Sequence, residues 1–288
     1  MKTLKVSEEI IGKRLDKALA ALFPEYSRSA LEKLIESGAI LVNKQQVKTK
    51  YLLKEVDVLT LDFAELDKEP DSIELPILYE DENVIVIDKP LGVLAHSKGA
   101  FNKEGTVATF IQPRLNGSSE WKNSNRAGIV HRLDRATSGV MICSKNELTS
   151  SYLQKQFSNR TVKKTYLAIV SGELPELNGL IDVAIERNPK KPSTFRAGIN
   201  GKPAQTAFKE LQSDHMHSTI ELKPKTGRTH QLRVHMAYLK HPIVGDLLYG
   251  GEEAERLMLH AHTLELTLPG GKRTVFSSPK PRIFNSYS

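Results

Sequence analysis

The 288-residue sequence has one cysteine, Cys143, one tryptophan, Trp121, and an aromatic content of 6%. A single cysteine excludes an internal disulfide framework. Cys143 closes the apolar run Val140 to Cys143, so it is expected as a buried, inert thiol in a reducing compartment. No run approaches the roughly 18 apolar residues of a membrane span. The opening residues Met1 to Glu9 lack the apolar stretch of a signal peptide, so a cytoplasmic protein with no membrane partner is expected. No glycine-rich phosphate loop, His-Glu-x-x-His pair or paired cysteines occur. The nine histidines cluster only as His215-Met-His217, His260-Ala-His262 and His230 with His235, so neither a metal nor a cofactor is expected. No internal repeat or low-complexity tract is visible.

What is present is an uneven charge. Residues 64–82 hold Glu65, Asp67, Glu69, Asp71, Glu74, Glu80, Asp81 and Glu82 against Lys68 alone. From Asn83 onward 29 Lys and Arg face 17 Asp and Glu, an excess that attracts a polyanion. A basic soluble surface with no such partner would read the same way. The length suits one sizeable core with a small appendage.

Along the chain, Leu15, Ala18, Leu19 and Leu22 share one face of a helix that must stop before Pro24. Ser29 with Glu32 reads as a capping box opening a second helix, whose apolar face is Leu31, Leu34 and Ile35 and whose left-handed cap is Gly38. A strand over 39–42 and a turn at 43–46 follow. The acidic, proline-containing segment 64–76 has no apolar period and is expected as a linker, which divides the chain into 1–63, 64–76 and 77–288. The second half opens with the strand Asn83 to Asp88 and a Lys89-Pro-Leu-Gly92 turn. The polar excursion Asn116 to Asn125 carries Trp121 and is assigned no chemistry. Asn146 caps a helix through about Phe157. Strands are expected over Thr165 to Val170, Gln205 to Leu211, Thr219 to Lys223 and Leu257 to Leu266, and a helix around Leu232, His235, Met236 and Leu239. The tail after Pro269 carries no signal.

The chain is organised around Arg126 to Cys143. Two short β-branched runs, Gly128 to Val130 and Val140 to Cys143, are expected as strands, and the polar residues between them form the connection. Thr137-Ser-Gly139 is turn chemistry. Taken alone, Asp134 on that connection reads as one more turn-forming aspartate.

The wording changes this. His131-Arg-Leu-Asp134 with Thr137-Ser-Gly139 resembles the signature of the RluA/RluD family of pseudouridine synthases. Lys164-Thr-Tyr166-Leu-Ala, Thr226 to Met236 and Leu257-Met-Leu-His-Ala261 resemble three further motifs of that family, in order. The N-terminal unit, through Arg14-Leu-Asp16, Ser27-Arg28, Gly38 and Val42-Asn43, resembles an S4 RNA-binding domain. The resemblance implies an α+β fold with a mixed, largely antiparallel sheet and flanking helices. It also implies a monomeric enzyme that acts on structured RNA, ribosomal RNA of the large subunit before transfer RNA.

By that resemblance Asp134 is the reacting carboxylate, Arg233 the arginine that pairs with and orients it, and Tyr166 the tyrosine against the flipped base. Leu259 packs beside the base, and Arg132 fills the gap the base leaves, with His131 next to it. Arg14, Lys17, Arg28, Lys33, Lys44, Lys48 and Lys50 are candidate phosphate contacts. One carboxylate suffices because the reaction consumes no water, whereas hydrolytic glycosidases usually need two. Asp134 can bind ribose or base covalently or remove a ribose proton, and the sequence does not choose between these. A non-catalytic S4-type RNA-binding protein, and more weakly a nucleoside glycosidase, are the alternatives from other classes.

Overall fold

The computed structural model of the chain describes every residue except Lys98, Ala100, Asn123, Asn125 and Ser288. Two compact units emerge, Met1–Ser72 with Ser97–Gly105, and Ile73–His96 with Thr106–Ser288. No helix among the described residues is long and apolar enough to cross a membrane.

In the first unit, α1 (Leu15–Leu22) and α2 (Arg28–Ser37) share a core with an antiparallel sheet ordered β1 (Lys2–Lys5), β3 (Val58–Leu61), β2 (Ile40–Val42). Leu15 and Leu19 of α1 and Leu31, Leu34 and Ile35 of α2 are buried together, as their spacing requires. The start of α2 differs from expectation. Ser27, not Ser29, is the N-cap and accepts from the Ala30 N–H at 3.3 Å, while Glu32 pairs with Arg28 one turn away. Gly38 closes the helix at φ 80°. Asn43 and Lys44 both take positive φ in the tight turn after β2.

The acidic segment 64–76 is more than a linker. Ala64–Asp67 coils into α3 and buries Leu66 in the first unit's core, whereas Leu75 is buried in the second's. The division falls between Ser72 and Ile73. Burying a single leucine contributes roughly 1.5–3 kcal/mol, enough to anchor a short turn that shows no period. Residues 97–105 also group with the first unit, where Lys103 Nζ donates to the Leu66 carbonyl at 2.9 Å and Lys33 lies over the Phe101 ring.

The second unit is one mixed sheet. Its strands in chain order are β4 (Ile77–Glu80), β5 (Val84–Lys89), β6 (Ser138–Ser144), β7 (Lys163–Ser171), β8 (Asn178–Asp182), β11 (Gln205–Ser213), β12 (His217–Pro224), β13 (Leu259–Thr267) and β14 (Arg273–Ser277). A separate hairpin joins β9 (Ile185–Arg187) to β10 (Phe195–Ala197). The spatial order is β4-β5-β6-β13-β7-β12-β11-β8, with β14 on the far half of β13, and among the described residues β6 with β13 is the one parallel pair. The helices are α4 (Val107–Ile111), α5 (Ser119–Lys122), α6 (Glu147–Ser158) and α7 (Gln231–Tyr238). Asn146 caps α6 by accepting from the Thr149 N–H at 2.9 Å.

Two large apolar clusters lie in this unit, one under β5 and β6 and one under β7, β12 and α7, with a small third around Ile185, Ala204 and Val234, and Tyr166 packs against both large ones. Where the halves join, Gly139 lies so close to β13 that a Cβ there would sit 2.1 Å from the Ala261 carbonyl oxygen, at φ +116°. The strand expected over Gly128 to Val130 does not form. Gly128 turns at φ +75°, and only Ile129 bridges to Cys143. Trp121 is half-buried against the core rather than on a bare surface excursion; Asn123 and Asn125 lie outside the described residues. The silent tail supplies β14 and a turn that buries Phe284 completely.

Candidate active site

The four motifs converge on a cavity of about 490 Å³ in the second unit, lined by His131, Arg132, Asp134, Tyr166, Arg233 and Leu259 among others. Asp134 stands in the turn that feeds β6, where its carbonyl accepts from the Thr137 N–H at 3.0 Å. Its carboxylate is 23% exposed, open to the cavity yet shielded from bulk water. Ser138 anchors this turn to the neighbouring strand: its hydroxyl lies 2.9 Å from His260 Nδ1 and accepts from Arg256 at 2.6 Å. That contact also fixes Leu259, the residue before His260, which is buried in the cavity wall.

Tyr166 projects from β7 beside Asp134. Burial, and then the nearby Asp134 charge, push its phenol far above the ordinary value, so it holds its proton and can donate a hydrogen bond. Arg132 is exposed on the cavity rim. His131 stacks on Phe157 at 4.6 Å, and its Nε2 accepts from the Ile142 N–H at 3.1 Å. Burial, helped by the charge of Lys164, pushes its pKa down to about 3. His131 is therefore a neutral ring that ties the motif to β6.

Arg233 departs from expectation. Its guanidinium does not form the anticipated pair with Asp134 but closes on Asp246, with Nε and Nη2 donating at 2.7 and 2.6 Å. The Asp246 side chain is fully buried, and Arg233 lies over the Tyr249 ring at 4.9 Å. Burial disfavours the Arg233 charge, but the hydrogen bonds and charge of Asp246 together with the Asp134 charge raise the pKa on balance. A buried fork needs a buried counter-charge, and Asp134, open to the cavity, is the poorer partner.

The loop before α7 is locked by Gln231. Its Oε1 accepts from Thr226 Oγ1 at 2.7 Å and from the Arg228 N–H at 3.0 Å, while its Nε2 donates to the Gln205 carbonyl at 2.9 Å. This holds His230 at φ 56°, a left-handed conformation costly for a residue with a side chain.

The sequence model of the RNA pseudouridylate synthase family matches residues 83–238, and that of the S4 domain matches residues 13–59. The chain belongs to the RNA pseudouridylate synthase family. It is similar to a protein of Xylella fastidiosa named ribosomal large subunit pseudouridine synthase D, at 41% identity over 85% of this chain and 74% of that one. A protein of the same name from Xanthomonas campestris is 38% identical over 96% of this chain and 88% of the other. Among solved structures, human RNA pseudouridylate synthase domain containing 1 covers 74% of this chain and 87% of its own, with a TM-score of 0.58 and 31% identity. The protein is an RNA pseudouridine synthase, and the non-catalytic and glycosidase alternatives fall away.

Sequence reasoning missed several residues of this synthase. Lys89 is buried at the end of β5 and donates to the carbonyls of Pro90 and Val93 at 2.8 and 2.9 Å. Burial pushes its pKa down to about 8, while the charge of Asp134 works in the opposite direction. A lysine closing a strand that opens with four apolar residues was the available signal. Asp246 and Tyr249 gave none, since they sit in a loop with no period. In the S4 unit, Arg14 and Arg28 both bind the buried Asp16, at 2.8 and 2.5 Å, so part of their charge is spent within the domain. Lys17, Lys33, Lys44, Lys48 and Lys50 are exposed.

Proposed function

We propose that this synthase converts specific uridines of large-subunit ribosomal RNA to pseudouridine, with Asp134 as the reacting carboxylate. The observation that carries the reading is the convergence of Asp134, Tyr166 and Leu259 on one cavity inside a basic unit. The ribosomal assignment rests on relatives named for that substrate that span most of both chains. The chemistry breaks the bond from ribose C1′ to N1, makes one from C1′ to C5, and exchanges the C5 proton for one on N1. No water enters, so one carboxylate is sufficient.

Asp134 engages the ribose or the base while Tyr166 stacks against the detached uracil and donates its hydroxyl proton in a hydrogen bond. Leu259 and Leu133 offer apolar contact that keeps the freed base from leaving. The base reaches this depth only by leaving its stack, and Arg132 on the rim is placed to occupy the gap. The S4 unit adds phosphate contacts through its exposed lysines. The same reading has the enzyme act as a monomer in the cytoplasm, where ribosomal RNA is met.

Mapping pseudouridines in ribosomal and transfer RNA from cells with and without the gene tests the substrate. Loss confined to large-subunit ribosomal RNA is expected; loss confined to transfer RNA would overturn the assignment.

A further inference from the structure

His230 lies in the cavity wall with its Nε2 3.9 Å from Asp134 Oδ2, and its Nδ1 is 2.7 Å from the Tyr249 hydroxyl. The Tyr249 oxygen already accepts from the Phe195 N–H at 3.1 Å. Burial raises the Tyr249 pKa, so the phenol keeps its proton. Where the phenol donates to Nδ1, the imidazole hydrogen sits on Nε2, the nitrogen that faces Asp134.

The ring is also fixed in orientation. Phe195 and Tyr249 both meet it edge-on, at 5.7 and 5.6 Å between centroids. Its backbone is held in the left-handed region by the Gln231 network and by the Val234 N–H, which donates to the His230 carbonyl at 2.9 Å. Strain of this kind persists only where the surroundings enforce it.

We propose that His230 is a positioning residue for the reaction: its Nε2–H, set by Tyr249, aims the Asp134 carboxylate at the substrate. This rests on the reading of Asp134 as the reacting group. Arg233, which the family motif offers for that task, is engaged by Asp246, and the imidazole faces the carboxylate at 3.9 Å. Contacts of this kind tighten in the complex with substrate.

The test uses full-length protein and a uridine-C5-tritiated fragment of large-subunit ribosomal RNA, measuring turnover at saturating RNA and, separately, RNA affinity. His230→Ala is expected to lower kcat about 10- to 100-fold, the scale of a misdirected reacting group, with RNA affinity within about twofold of wild type. His230→Gln carries an amide N–H to nearly the same place and is expected to recover most of that loss. Tyr249→Phe leaves the ring in place without its tautomer partner and is expected to lower kcat about tenfold at an unchanged KM. Wild-type kcat in both His230→Ala and Tyr249→Phe would overturn the proposal. So would a Gln variant as slow as Ala, or a loss that lies in KM or melting temperature alone, since any of these marks a merely structural residue. Asp134→Asn run in parallel separates the readings: if it still turns over, Asp134 is not the reacting group; if it is inactive while His230→Ala is not, only the role of His230 fails.

Discussion

Arg233 grips Asp246 with two parallel hydrogen bonds, and this pair, rather than one between Arg233 and Asp134, ties α7 to the loop after it. The guanidinium fork is a fixed piece of the cavity wall, close enough for its charge to be felt at Asp134.

Removing Asp246 would leave that guanidinium buried and unpaired. Asp246→Ala is expected to cost about 3–5 kcal/mol of stability and to lower turnover with it. Arg233→Lys loses the planar fork and should fall between wild type and Arg233→Met in both respects. Thermal melts with activity at a permissive temperature check this, and a wild-type melt for Asp246→Ala would show that the pair is not what holds the helix.

Asp134→Asn keeps the size of the side chain and removes its charge. Tritium release from C5-labelled RNA should vanish while RNA binding persists, because Asp134 contributes nothing to phosphate contact. Measurable turnover would remove Asp134 from the mechanism.

Asp16 gives the S4 unit a defined acid response. Burial pushes its carboxyl up, but the hydrogen bonds and charges of Arg14 and Arg28 outweigh this and hold it at about 2, below the ordinary 3.8. A depressed folded-state value adds stability that is complete above pH 3.8 and fades as pH falls toward 2. The contribution is about 1–2 kcal/mol, allowing for screening of the part-exposed guanidiniums. Asp16→Asn should remove that share of stability at neutral pH and flatten the acid limb of the unfolding curve; an unchanged acid limb would count against the triad.

A truncated protein starting at Ile73 retains Leu75 and the sheet and should turn over uridine at saturating RNA. It loses Lys17, Lys44 and Lys48. If these touch phosphate, each removes roughly 0.7–0.9 from the slope of log affinity against log salt. Equal slopes for full-length and truncated protein would mean that the S4 unit makes no such contacts.

Gly139→Ala probes the seam between the two halves of the sheet. The new methyl would meet the Ala261 main chain, which cannot swing aside as a side chain can, so a loss of at least about 3 kcal/mol is expected. Calorimetry measures it, and a wild-type melting temperature would show that β6 and β13 can part at that point.

The sequence alone was enough for most strands and helices, and it singled out Asp134, Tyr166 and Leu259, which the fold brings to one cavity. Each rests on information local in the chain: apolar spacing, caps such as Asn146, and wording such as His131-Arg-Leu-Asp134. Even its errors there were local, as when Ser27 rather than Ser29 capped α2 while Glu32 paired with Arg28. The tertiary structure decided which groups meet. Asp246 and Tyr249 lie 13 and 16 residues beyond Arg233 in a loop without pattern, yet they take its guanidinium, because a buried charge is held by whichever counter-charge is equally dry. In the same way, Lys89 became a buried donor beside Asp134, and His230 was turned toward that carboxylate by a tyrosine 19 residues away. Solvent exclusion and hydrogen-bond geometry set these pairings, and neither has a period along the chain.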